Sequence, residues 1–170
     1  ANHNTINRVV ACGAVTETNL NNTPSLLFCG EKDMNYASMR LFTNARCYHK
    51  IWNGSHSWPD ANTFSLAFND EAYWNKADAT ISSPLQTQFQ QELNLQKSYM
   101  EQYGSFTDMD WTRVVEHLTK DKTDLVSIRC MGVLSMTSYM YTDHFIRNGQ
   151  LEQAKKFCQR YLEIDPENAD

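Results

Sequence analysis

The chain has 170 residues and a mass of 19.7 kDa, enough for one ordinary domain or two small units. A hydrophobic fraction of 41% allows a packed core, while 15 Lys and Arg against 20 Asp and Glu leave a formal charge of −5 with no basic run to neutralise a row of phosphates. Nucleic acid is therefore a poor partner. The uncharged stretch Cys130 to Thr142 is too short to span a hydrocarbon layer about 30 Å thick, so the chain reads as soluble and without a membrane partner. Five widely spaced cysteines with no C-x-x-C pair suggest neither a disulfide framework nor a zinc ribbon, and most are expected reduced and buried. The opening Ala1-Asn2-His3-Asn4 lacks a charged and an apolar region, so a targeting segment is expected to be absent or already removed, and the compartment stays open.

In chain order, Arg8 to Val15 and Ser25 to Cys29 are nearly continuous apolar runs of strand length, as expected for strands covered on both faces of a parallel sheet. Cys47 to Trp52 gives a third strand, and Tyr36 to Thr43 fits a short crossover helix. The link Thr16 to Pro24 is short for a helical crossover between the first two strands. After a loop at Gly54 to Pro59, Asp60 or Asn62 caps a helix carrying Phe64, Leu66, Ala67 and Phe68.

From Ser82 onward the pattern is helical. Ser83-Pro84 predicts an N-cap and a proline at the first helical position, with Leu85, Phe89, Leu93, Met100 and Tyr103 in helical spacing until Gly104. Asp108 or Asp110 starts a helix bearing Trp111, Val114, Val115 and Leu118. Leu125 to Asn148 forms a long helix stopped by Gly149, and Leu151 to Ile164 the last, before Pro166. The expected fold is α/β: a partial parallel sheet of about three strands over residues 1–80, then an all-α helical hairpin region over 81–170. Met131, Leu134, Met136, Tyr139 and Met140 are its expected core.

Two residues carry the chemistry. Gly30-Glu31-Lys32-Asp33 sets an acid just past the carboxyl end of a buried strand, where open α/β sheets collect ligands and catalytic groups. Gly54-Ser55-His56-Ser57-Trp58-Pro59 sets a histidine past the next strand, so both side chains emerge at one sheet edge. A carboxylate that orients an imidazole and stabilises its protonated form is the second half of a nucleophilic triad. Each residue also has a plainer reading: Gly and Asp dominate turns, and a histidine beside Trp58 and Pro59 can pack on or cap the next helix. Cys47, His49 and His56 form the nearest metal-ligand cluster, but Cys47 and His49 share one strand face while His56 lies beyond its end, and zinc wants three or four convergent ligands. His117 and His144 stand alone on helices.

On these residues the chain resembles the α/β-hydrolase fold in its compact esterase or dienelactone-hydrolase style, over roughly residues 6 to 78. The turn at Asp33 looks like the acid turn, the loop at His56 like the histidine loop, and the helix from about Asn62 like the final helix. The family's G-x-S-x-G elbow is missing: glycines stand at 13, 30, 54, 104, 132 and 149, no two of them four apart. The resemblance thus implies the C-terminal part of a serine hydrolase for ester or amide substrates. Asp33 and His56 would be catalytic, the serine would lie outside these residues, and no metal or organic cofactor is needed. A sheet edge at Arg8 is expected to pair with the missing N-terminal hydrolase half or with another chain.

Further on, Gly149, Ala154 and Pro166 are spaced like the second helix of a tetratricopeptide repeat, whereas the usual Trp-Leu-Gly positions of the first helix hold Ser138, Tyr141 and Thr142. This resemblance implies a helical extension able to take a protein partner. The competing class is a non-catalytic interaction module that carries a relic hydrolase segment.

Overall fold

A computed structural model describes residues 8–14, 23–42, 46–69, 74 and 81–165. The chain divides into two compact units, Ala1–Leu93 and Asn94–Asp170. The first unit reaches Leu93, with Ile81, Leu85, Phe89 and Leu93 sharing a cluster with Ala37.

The first unit contains β1 (Val9–Cys12), β2 (Ser25–Gly30), α1 (Tyr36–Leu41), β3 (Cys47–Trp52) and α2 (Ala61–Asn69). The strands form a parallel sheet in the order β1-β2-β3, with Val9 opposite Ser25 and Ser25 opposite Cys47. β1 pairs directly with β2 despite the short link, and the Val9 amide donates to the Pro24 carbonyl at 2.9 Å. All six residues of β2 are buried, which explains its unbroken apolar run. Alternation sends Leu26 and Phe28 to one face, against Trp74 and Phe64, and Leu27 and Cys29 to the other, against Met39 and Cys47. α2 starts where Asp60 accepts from the Thr63 amide at 2.9 Å. α1 also packs through Ala37 on Ile81 and Phe89.

α3 (Ser83–Tyr103) runs from the first unit into the second, which continues with α4 (Asp108–Thr119), α5 (Leu125–Arg147) and α6 (Leu151–Ile164). The cap of α3 falls one residue before the expected Ser83, since the Gln86 amide donates to the Ser82 carbonyl at 2.9 Å. Pro84 is then the second helical residue, where the missing N–H leaves no hydrogen bond unmade. α4 is capped by Thr107 rather than by Asp108 or Asp110: the Thr107 hydroxyl accepts from the Asp110 amide at 3.1 Å, and the Asp110 carboxylate accepts from the Thr107 amide at 3.1 Å. Asp124 caps α5.

α5 and α6 form a hairpin that turns at Gly149, whose φ of 71° is left-handed, and the amides of Gly149 and Gln150 close on the carbonyls of Ile146 and Phe145. Ala154 is buried in α6, and Pro166 lies outside the described residues.

The core of the second unit is Tyr103, Trp111, Leu118, Cys130, Leu134 and Phe157. This corrects the expected stripe on α5. Leu134 is buried and Met131 packs at the margin, but Met136, Tyr139 and Met140 are exposed, at 42%, 63% and 62%. The inward face carries Cys130, Leu134, Ser138 and Tyr141 instead. Ser138 and Thr137 tolerate burial because their hydroxyls donate to the Leu134 and Val133 carbonyls one turn back, each at 2.8 Å. Small hydroxyl residues also leave room for the Tyr103 ring, which meets Trp111 edge-on at 5.6 Å and Tyr141 at 5.3 Å.

All five cysteines are free: Cys29, Cys47 and Cys130 are buried, Cys12 is half-buried and Cys158 is exposed. Among the described residues no helix is long and apolar enough to cross a membrane.

Candidate acid–histidine site

Parallel pairing brings the ends of all three strands to one edge of the sheet, and each end carries a glycine: Gly30 is the last residue of β2, while Gly13 and Gly54 fall within two residues after β1 and β3. Gly30 is required by close approach. A Cβ there would lie 2.3 Å from the Gly54 carbonyl oxygen and 2.6 Å from that of Ser55, well inside any real contact. The bare backbone lets the turn after β2 lie against the turn after β3, with the Glu31 and Lys32 amides donating to the Trp52 and Gly54 carbonyls, each at 2.9 Å. Asp33 and His56, 23 residues apart in the chain, thereby become neighbours.

Asp33 is fully buried. Its Oδ1 accepts from the Asn35 backbone amide at 2.8 Å, and His56 Nδ1 lies 3.1 Å from Oδ1 and 3.2 Å from Oδ2. An ionised carboxylate only accepts, so a hydrogen bond between them takes the proton on Nδ1, and in the neutral ring that leaves the lone pair on Nε2. The His56 side chain is 48% exposed, so this basic nitrogen belongs to a ring that reaches solvent. A buried acid holding one edge of a solvent-facing imidazole is an arrangement able to accept a proton from a hydroxyl and return it.

Three further residues complete the site. The Cys12 thiol donates to the Ser57 carbonyl at 3.3 Å and so tethers the histidine loop to the end of β1. Burial, with a smaller contribution from the negative charge of Asp33, pushes that thiol's pKa up, which makes it a poor nucleophile. The Asn35 side-chain amide donates to the Gly13 carbonyl at 2.5 Å, and the Gly13 amide donates to the Phe28 carbonyl at 3.1 Å. Sequence reasoning missed Cys12, Gly13 and Asn35. The available signal was the repetition of glycine at or just past the end of every strand and the Asp-x-Asn spacing of the acid turn.

The other candidates go elsewhere. Cys47 and His49 lie buried beneath α1, where His49 Nε2 contacts the Met39 carbonyl oxygen at 2.6 Å, while His56 stands at the strand tips. Among the described residues no three of His, Cys, Asp or Glu gather as a metal requires. His144 contacts Asn148, the residue that caps the end of its helix. Compared with protein-family models, curated proteins and solved structures, the chain matches none of them.

Proposed function

We propose that this chain supplies the acid and the histidine of a serine hydrolase acting on ester or amide bonds, with the attacking serine contributed by a segment outside these residues. The single observation that carries the reading is the pairing of fully buried Asp33 with the solvent-facing His56 through Nδ1 at 3.1 Å. In the reaction, His56 Nε2 takes the proton of the serine hydroxyl as that oxygen attacks the acyl carbon. It then delivers the proton to the leaving alcohol or amine, and Asp33 stabilises the intervening imidazolium. The same His56 activates the water that releases the acid.

The absence of G-x-S-x-G from the sequence supports an external nucleophile. Among the described residues β1 is an outer strand of the sheet. A strand laid beside β1 by the nucleophile-bearing segment would extend the sheet and stand next to the Asp33–His56 edge.

A serine-directed fluorophosphonate, applied to the protein expressed from its full reading frame, tests the reading. Labelling that is lost in His56→Ala supports it. Labelling that survives His56→Ala, or no labelling of a folded protein, removes it. The second outcome favours a non-catalytic interaction module, a reading supported by the exposed Met136, Tyr139 and Met140 on α5.

A further inference from the structure

We propose that Gly13, tethered by Asn35, is a positioning residue whose bare Cα is the wall against which the Asp33 carboxylate and the His56 ring are held together. A Cβ at Gly13 would stand 2.8 Å from Asp33 Oδ2, 2.9 Å from His56 Nδ1 and 3.0 Å from His56 Cε1. The two partners are themselves only 3.1 to 3.2 Å apart, so that carbon would press on both sides of their hydrogen bond at once. Asp33 is enclosed and cannot yield, so the half-exposed His56 ring would have to swing outward into solvent and give up its contact with the carboxylate. Asp33 is fully buried and anchored by the Asn35 amide, and the histidine loop is tied back through the Ser57 carbonyl to Cys12.

Gly13 is also held in place. Its φ of 58° lies in the left-handed region, its amide continues the β1–β2 ladder to the Phe28 carbonyl, and its carbonyl receives the Asn35 side chain. Asn35 grips both walls of the site: its side-chain amide holds Gly13, and its backbone amide holds Asp33. The pair is therefore set by three strand ends rather than two. The consequence is chemical. With Nδ1 locked against the carboxylate, the neutral ring is confined to the Nδ1–H tautomer and Nε2 remains the base.

This inference concerns how the pair is set and is read on the ring itself, so it stands or falls separately from whether a serine joins the site. The experiment is 15N NMR of the histidine side chains in the intact chain, recorded with the His56 ring neutral. The wild type is expected to show Nδ1 protonated. Gly13→Ala and Gly13→Asn are both expected to lower the ratio of Nδ1–H to Nε2–H by roughly tenfold or more, the scale of a lost charge-assisted hydrogen bond. Asparagine tolerates the left-handed backbone but still carries a Cβ, so it separates intrusion from strain. A wild-type ring in Gly13→Asn overturns the proposal. If neither Gly13 variant folds by circular dichroism, Asn35→Ala decides: a shift toward Nε2–H supports the tether, and an unchanged ring overturns it.

Discussion

Each of the two compact units buries a charged side chain, and they use it differently. In the second, the Arg160 guanidinium is 3% exposed and lies over the rings of Trp111 and Phe157, 5.4 Å from each centroid, while donating to the Phe106 carbonyl at 2.8 Å and to Asp108 at 3.2 Å. Lys156 reaches the same Asp108 oxygen at 2.7 Å, and the Trp111 indole donates to Glu163 at 2.5 Å. Every one of these groups is directed at another part of the same unit. In the first unit, buried Asp33 faces an exposed imidazole whose second nitrogen is left over. Arg160 gives its hydrogen bonds to groups that end within the unit, and so stabilises a fold. Asp33 fixes one nitrogen of an imidazole and leaves the other for a ligand.

Four experiments break or sharpen that contrast. The largest effect is expected from Asp33→Asn, which keeps the shape but removes the negative charge and sets an N–H donor where one carboxylate oxygen faced Nδ1, favouring the other ring tautomer. Fluorophosphonate labelling of the full-frame protein should slow by about 10⁴-fold, measured as a second-order rate. Trp111→Ala empties a site only 3% exposed at the aromatic hub and should cost about 3–5 kcal/mol, read as a lower urea midpoint together with faster hydrogen exchange in α4 to α6.

Acid should act on the second unit through its caps. The Asp124 carboxyl is held below its ordinary value chiefly by the Ser127 hydroxyl, Asp110 by the Thr107 hydroxyl, and Asp108 by hydrogen bonds from Lys156 and then Arg160. Groups depressed in the folded state contribute their full stabilisation above the unfolded value of about 3.9 and lose it as pH falls from there through the folded values. Helicity should therefore fall with acidification below about pH 4, and Asp124→Asn should flatten that dependence in a circular-dichroism titration. The smallest effect is expected from Met136→Ser combined with Met140→Ser: each exposed methionine should change stability by no more than about 0.5 kcal/mol, where core burial would have predicted several.

The contrast also explains what could be read from residues alone. β2 was legible because Ser-Leu-Leu-Phe-Cys is apolar on both faces and both faces are covered. The α5–α6 turn was legible because a left-handed stop favours glycine at 149. The inward face of α5 was not, since serine and threonine look polar in a sequence and become core residues only when their hydroxyls turn back on their own helix. At the site, the order of strand, acid, strand and histidine placed Asp33 and His56 at one edge. The Asn35 tether to Gly13 stayed hidden because it spans 22 residues and depends on how β1 pairs. Side-chain type at a strand end is a local property, whereas the spacing between strand ends is not.

The unequal burial of the thiols makes the protein a ready source of chemical reporters. Cys158 on α6 is open to solvent and should take a maleimide first, giving a single-point fluorophore. Cys12 should follow slowly, because its thiol is bonded to the Ser57 carbonyl and resists deprotonation. Cys29 and Cys47 in one unit and Cys130 in the other should react only on unfolding, so their alkylation rates serve as separate clocks for the opening of each.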